Sequence, residues 1–162
     1  MVPATIDKTN GYWFTAADLP QLQVAKYYPE RTSNESGVIR DYLNAHGADF
    51  EQIGFSVRVG QALKPDPTHL IGVQKSTIYS SRKRIDVVGV FSGQVTLVEA
   101  KARIEPSALG QILTYRKLWM EDNPGAGAPR LVIVGRYSDT DTVNALTAHG
   151  VDVFIYEAAA PV

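Results

Sequence analysis

Apolar positions along this chain change period from helical to strand-like and back again, and those changes divide it into elements. Ser33-Asn34-Glu35-Ser-Gly-Val-Ile-Arg-Asp-Tyr-Leu-Asn-Ala-His46-Gly47 sets Val38, Ile39, Tyr42 and Leu43 on one stripe, opens on cap-forming residues and closes at glycine, which predicts a helix over 34–46. Residues 50–60, 84–91 and 94–102 read as strands. Pro106 fits the first turn of an amphipathic helix over 106–121, with Leu109, Ile112, Leu113 and Met120 as its core stripe. Two short apolar runs, Leu131-Val-Ile-Val-Gly135 and Val151-Asp-Val-Phe-Ile155, flank a helix at 140–149 whose start Asp139 caps. They predict buried, parallel strands over 130–135 and 151–156. The order is α-β-β-β-α-β plus a further αβ unit, an α/β fold with a mixed central β-sheet flanked by helices.

The strands at 84–91 and 94–102 meet at Ser92-Gly93, a dipeptide suited to a two-residue hairpin. That loop pairs Phe91 with Gln94, and the same register sets Asp86 opposite Glu99 and Arg84 opposite Lys101. Directly opposed Cβ atoms lie roughly 4.5–5.5 Å apart, so two carboxylates there repel unless they share a cation. Lone acids in strands usually face solvent, yet Glu99 lies inside Val95-Thr-Leu-Val-Glu-Ala-Lys-Ala102, which is too apolar for an ordinary exposed strand. Lys101, two residues on, projects from the same face as Glu99.

Asp86 followed by Glu99-Ala100-Lys101 resembles the motif of the PD-(D/E)xK nuclease superfamily, with Ile85 where a proline usually precedes the aspartate. Ten residues after Lys101, Gln111 and Tyr115 share a helix face and are similar to the QxxxY signature of the RecB-like branch. The resemblance covers residues 33–156 and implies a restriction-endonuclease-like core. It also implies a Mg²⁺- or Mn²⁺-dependent deoxyribonuclease, a phosphodiester hydrolase with Asp86, Glu99 and Lys101 at its centre. The Ala100 carbonyl and Glu35 complete the metal set, and Gln111 and Tyr115 position DNA or the lysine. Glu35 reads equally well as an acid favoured by a helix N-terminus, and Glu30 takes its place if the helix starts earlier. Exonuclease, branched-DNA resolvase and nicking activities all remain open, and a restriction-type enzyme is disfavoured by the short chain. The competing expectation is a non-catalytic structural or binding part of a viral head–tail or recombination assembly built on the same fold.

Composition narrows the partners. The 162 residues are 44% hydrophobic and suffice for one α/β core, and the lack of cysteine excludes disulfides, thiolate metal sites and iron–sulfur clusters. No apolar run is long enough for a membrane span and no secretory pattern opens the chain, so the expected setting is cytoplasmic, or a host cytoplasm or virion if a virus encodes it. Net charge is only −1, but residues 58–117 carry ten bases against four acids. DNA contact is therefore expected on one face, through Arg82, Lys83, Arg84, Arg103 and Arg116.

The remaining segments carry less. His46, His69 and His149 lack ligand spacing, and Gly125-Ala-Gly-Ala-Pro129 lacks the Lys-Ser/Thr of a phosphate loop. Gln61 to Gly72, with Pro65 and Pro67, reads as a loop near the active face. Residues 1–32 hold Tyr12-Trp13-Phe14 and Tyr27-Tyr28 without clear periodicity. They are expected to form an N-terminal arm that packs across the core and contacts a partner or a second copy, beside a nuclease-like domain at 33–162.

Overall fold

The computed structural model describes residues 10–158. Its strands are β1 (Tyr12–Thr15), β2 (Gln52–Val59), β3 (Lys83–Phe91), β4 (Gln94–Ile104), β5 (Arg130–Ser138) and β6 (Val151–Ile155). Its α-helices are α1 (Leu19–Leu22), α2 (Ser33–His46), α3 (Ile71–Ser81), α4 (Ser107–Asp122) and α5 (Thr140–Ala148). The strands form one mixed sheet in sequence order, antiparallel from β1 to β4 and parallel from β4 to β6. This is the α/β class and sheet type that the apolar periodicity predicts.

Helix α2 covers one face, where Val38, Ile39, Tyr42 and Leu43 pack on Ile53, Phe55, Val87, Val98, Val132 and Val134. Helices α4 and α5 cover the other, where Ile112, Tyr115, Trp119 and Leu146 pack on Val88, Leu97, Leu131 and Ile133. Both parallel crossovers therefore return on a single face, leaving α2 to close the opposite one. Asp139 caps α5 by accepting from the Thr142 amide at 2.8 Å, as its position suggests.

One expectation needs correction, and two elements have no counterpart in the apolar pattern. Met120 is 41% exposed, and the buried face of α4 runs instead through Ala108, Ile112, Tyr115 and Trp119, because the stripe turns towards the aromatic residues. The connection between β2 and β3 contains α3, which buries none of its residues and so has no apolar stripe to betray it. Residues 12–15 are an edge strand, although their run is too short to show a period of two. Trp13 lies over Gly54, where any Cβ would come within 2.8 Å of the indole. Leu19, Leu22 and Tyr28 enter the core beside α2, and Tyr28 stacks on Phe55 with ring centroids 5.0 Å apart. Packing by the first 32 residues thus occurs from Asn10 onward, the Asn10 carbonyl accepting from the Arg58 amide at 3.0 Å; residues 1–9 of that arm lie outside the described residues.

Candidate active site

The β3–β4 hairpin has the predicted register from Phe91↔Gln94 to Val87↔Val98, closed by Ser92 and Gly93 at φ 47° and 79°. The ladder ends there, one pair before Asp86 and Glu99 would have faced each other as neighbours. Beyond it β3 stays with β2 through Ile85↔Val57, while β4 stays with β5 through Glu99↔Ile133. The sheet splits, and the expected Asp86–Glu99 pair becomes the floor of the opening.

Neighbouring strands roll over at the same level. Ile53 and Phe55 of β2 face α2, yet Val57 and Val59 pack beneath α4, and β3 makes the same change between Val87 and Ile85. Ser56, between them on β2, has φ 51°, and its hydroxyl donates to the Pro29 carbonyl at 2.7 Å. Strict alternation would have sent the cross-strand neighbours Arg58 and Arg84 into the apolar α4 core. The roll turns both into the opening instead.

The resulting cleft of about 480 Å³ is lined by Glu30, Arg31, Glu35, Arg58, Ser80, Arg82, Arg84, Asp86, Glu99, Lys101, Gln111 and Tyr115. Asp86, Glu99, Lys101, Glu35, Gln111 and Tyr115, the side chains singled out from spacing and resemblance, are therefore brought together. Arg82 and Arg84 join them. Lys83 points to solvent, and Arg103 lies outside the cleft over Tyr137, its guanidinium carbon 5.5 Å from the ring centre. Arg116, half-buried on α4, does not line the cleft either.

Asp86 is 1% exposed; its Oδ2 accepts from the Ala100 amide at 2.9 Å and its Oδ1 is bound by Arg31 Nη1. In an extended strand the N–H and C=O of one residue face the same edge, so the Ala100 carbonyl also faces the opening. Glu99 is 3% exposed; Lys101 Nζ lies 2.9 Å from its Oε1, and its Oε2 is buried with no protein partner. Burial, and then the Asp86 carboxylate, push the Glu99 carboxyl up to about 8 against the pull of Lys101. Asp86 is also raised by burial, opposed by Arg31 and the Ala100 amide. Gln111 Nε2 donates to Tyr115 Oη at 2.7 Å, and burial followed by the charge of Glu99 raises the Tyr115 phenol.

Glu35 closes a capping box with Thr32. Its Oε2 accepts from the Thr32 amide at 2.9 Å and Thr32 Oγ1 accepts from the Glu35 amide at 3.3 Å. Glu30 is held by arginines, with Oε1 2.6 Å from Arg58 Nη2 and 3.6 Å from Arg84 Nη1. Among the described residues no three His, Asp or Glu side chains stand together as a metal cage. Two buried carboxylates, a backbone carbonyl facing the opening and one unpartnered carboxylate oxygen still form a hard-oxygen set. That set suits Mg²⁺, which is commonly held by one or two carboxylates together with water and substrate phosphate.

Arg31, Arg58 and Ser80 line the cleft although spacing did not assign them to the site. Arg58 is buried at a strand end and stacks 4.2 Å from the centre of the Tyr79 ring. Arg31 lies just before a helix cap and meets a carboxylate 55 positions away. Only the turn signal of Pro29-Glu30 marks its neighbourhood.

No protein-family model matches the chain, and no curated protein matches it. Among solved structures, a repair endonuclease from Pyrococcus abyssi aligns at 16% identity and TM-score 0.46, over 82% of this chain and 50% of that one. EndoMS in a complex with dsDNA aligns at 15% identity and TM-score 0.45, over 85% and 51%. A Vibrio cholerae protein aligns at 14% identity and TM-score 0.47, over 85% and 37%. The chain spans about half the length, or less, of these structures.

Proposed function

We propose that this chain is a metal-dependent DNA nuclease of the PD-(D/E)xK type, hydrolysing phosphodiester bonds in the cleft where β3 and β4 part. The observation that carries the reading is a pair of buried carboxylates with Lys101 beside one of them and arginines around the rim. Such a pair is costly in a structural role, since each ion must be desolvated, and the cost is warranted where the ions do chemistry. Asp86, Glu99 and the Ala100 carbonyl would hold Mg²⁺ or Mn²⁺, with Glu35 at the margin of the set. The ion, when bound, supplies Lewis acidity towards a phosphoryl oxygen and eases proton loss from the attacking water.

The chain's own groups do the rest. Lys101, fixed by Glu99 at 2.9 Å, can orient the attacking water or offset charge growing on the phosphoryl oxygens. Arg82 and Arg84 offer guanidinium groups to the flanking phosphates. Arg82 is steadied through its Nε on the Gly60 carbonyl at 2.9 Å and its Nη2 on Asp122 at 3.2 Å. Gln111 and Tyr115, bonded to one another, form a neutral polar wall on the α4 side that can seat the backbone.

A second reading, a non-catalytic part of an assembly, is favoured by one observation: both carboxylates already have internal cations, Arg31 and Lys101. Partner contact would then use the exposed Tyr12 and Tyr27 of the first 32 residues. Cleavage of linear, circular single-stranded and four-way-junction DNA by wild type and Asp86→Ala, in Mg²⁺, Mn²⁺ or chelator, separates the two and sorts exonuclease, nicking and resolving activities. Lys101→Ala is expected to lose cleavage while keeping the fold and most DNA affinity. Undiminished turnover in that variant would remove the assignment of Lys101, and the absence of cutting and of Mn²⁺ binding by folded wild type would favour the assembly role.

A further inference from the structure

The Arg31 side chain is 4% exposed, and of its three guanidinium nitrogens only Nη1 has a close partner. Nη1 binds Asp86 Oδ1 and lies 3.9 Å from Glu35 Oε1, so the guanidinium stands between two of the carboxylates expected to surround a divalent ion. Its Nε and Nη2 are buried without partners in a cleft that also contains the unpartnered Glu99 Oε2. Buried donors and acceptors left unpaired are expensive, so this arrangement is that of a site awaiting a further component.

The placement is built rather than incidental. Tyr28 to Arg31 forms a turn closed by the Arg31 amide on the Tyr28 carbonyl at 3.1 Å, with Pro29 second and Glu30 third at φ 59°. Tyr28 anchors one end, its amide donating to Ser36 Oγ at 3.1 Å. Thr32, the N-cap of α2, fixes the other. An arginine held on both sides and buried to its tip is unlike a surface cation that has wandered onto a carboxylate.

We infer that Arg31 is the resident cation of the carboxylate site and competes with a divalent ion for Asp86. This rests on the metal-dependent reading above. Asp86 cannot give Oδ1 to Arg31 and to a metal ion at full strength together, and two cations between Asp86 and Glu35 repel each other. Metal loading therefore requires the guanidinium to leave Asp86, and its five N–H donors then face the cleft, where the substrate phosphate would be received. Arg31 lowers affinity for the bare ion and keeps the buried Asp86 carboxylate neutralised in the ion's absence.

The test is titration of the full chain with Mn²⁺ alone, for wild type, Arg31→Gln, Arg31→Ala and Arg31→Lys. Binding is expected to tighten about tenfold or more in Arg31→Gln and Arg31→Ala, within the range usual for coupled sites, and less in Arg31→Lys. Mn²⁺ should also raise the melting temperature more in these variants than in wild type. A purely structural arginine would leave Mn²⁺ affinity unchanged or reduced, and that result in folded variants overturns the inference. Absence of Mn²⁺ binding by wild type and all variants, with native spectra, overturns the metal reading and the inference with it. Should the variants fail to fold, wild type suffices: the Arg31 Nε proton, sheltered from water here, should exchange faster on saturation with Mg²⁺. An unchanged exchange rate at saturation overturns the competition.

Discussion

Glu99 carries the electrostatic tension of the site in one side chain, since burial and Asp86 oppose its charge while Lys101 favours it. A carboxyl whose folded pKa is raised stabilises the protein fully below its unfolded value, near 4.5, and that stability is lost as pH rises through the folded value, about 8. Each unit of displacement is worth about 1.4 kcal/mol, so ionising Glu99 costs the metal-free protein on the order of a few kcal/mol. The melting temperature in chelator is expected to fall between about pH 4.5 and 8, with a smaller fall in Glu99→Gln. Equal pH profiles for the two proteins would show that Glu99 is ionised at no such cost. At this scale Asp86, Glu99, Lys101, Gln111 and Tyr115 were legible because their spacing lies within one hairpin and the helix that follows. Arg31 was not, because the residue before a helix cap carries no local signal of a partner 55 positions away.

Among the elements, the β3–β4 hairpin carries the geometry of the site, and its turn sets the register. Ser92 and Gly93 both have positive φ, the two-residue loop that matches strand twist. A Cβ at Gly93 would meet nothing within 4 Å, so Gly93→Ala tests backbone conformation alone. It should cost roughly 1–2 kcal/mol through the left-handed conformation, read as a lower urea midpoint at unchanged slope. A midpoint within error of wild type would mean that the loop re-forms without positive φ there. This hairpin could be read from sequence because alternation and turn chemistry agree. The end of its ladder at Val87↔Val98 could not, because it falls at the level where β2 rolls over at Ser56, more than thirty residues upstream in the chain and a neighbour only in the sheet. Helix α3 escaped for a different reason: Ile71, Val73, Ile78 and Tyr79 are all exposed, so its apolar residues trace no buried stripe.

Over the whole molecule the proposed binding of a polyanion has to be reconciled with a net charge of −1. The sheet does so by gathering its cations at one opening, with Arg31, Arg58, Arg82, Arg84 and Lys101 around a cleft that also holds four carboxylates. Of the guanidinium groups there, Arg84 is the most available: its side chain is 35% exposed and tied only to Glu30, at 3.6 Å. Arg130 provides the contrast, since it pairs with Asp152 at 2.7 Å on the β5–β6 side, away from the cleft. Each phosphate contact to duplex DNA contributes about 0.9 to the slope of log affinity against log salt. Arg84→Ala is therefore expected to weaken DNA binding and to flatten that slope by about 0.9, measured with a non-cleaving Lys101→Ala background. Arg130→Ala in the same background should leave both affinity and slope unchanged, because one face alone has the potential to hold the backbone. Equal losses from the two substitutions would mean that DNA wraps beyond the cleft. The exposed bases Lys83 and Arg103 would then recover the role that their sequence positions suggested.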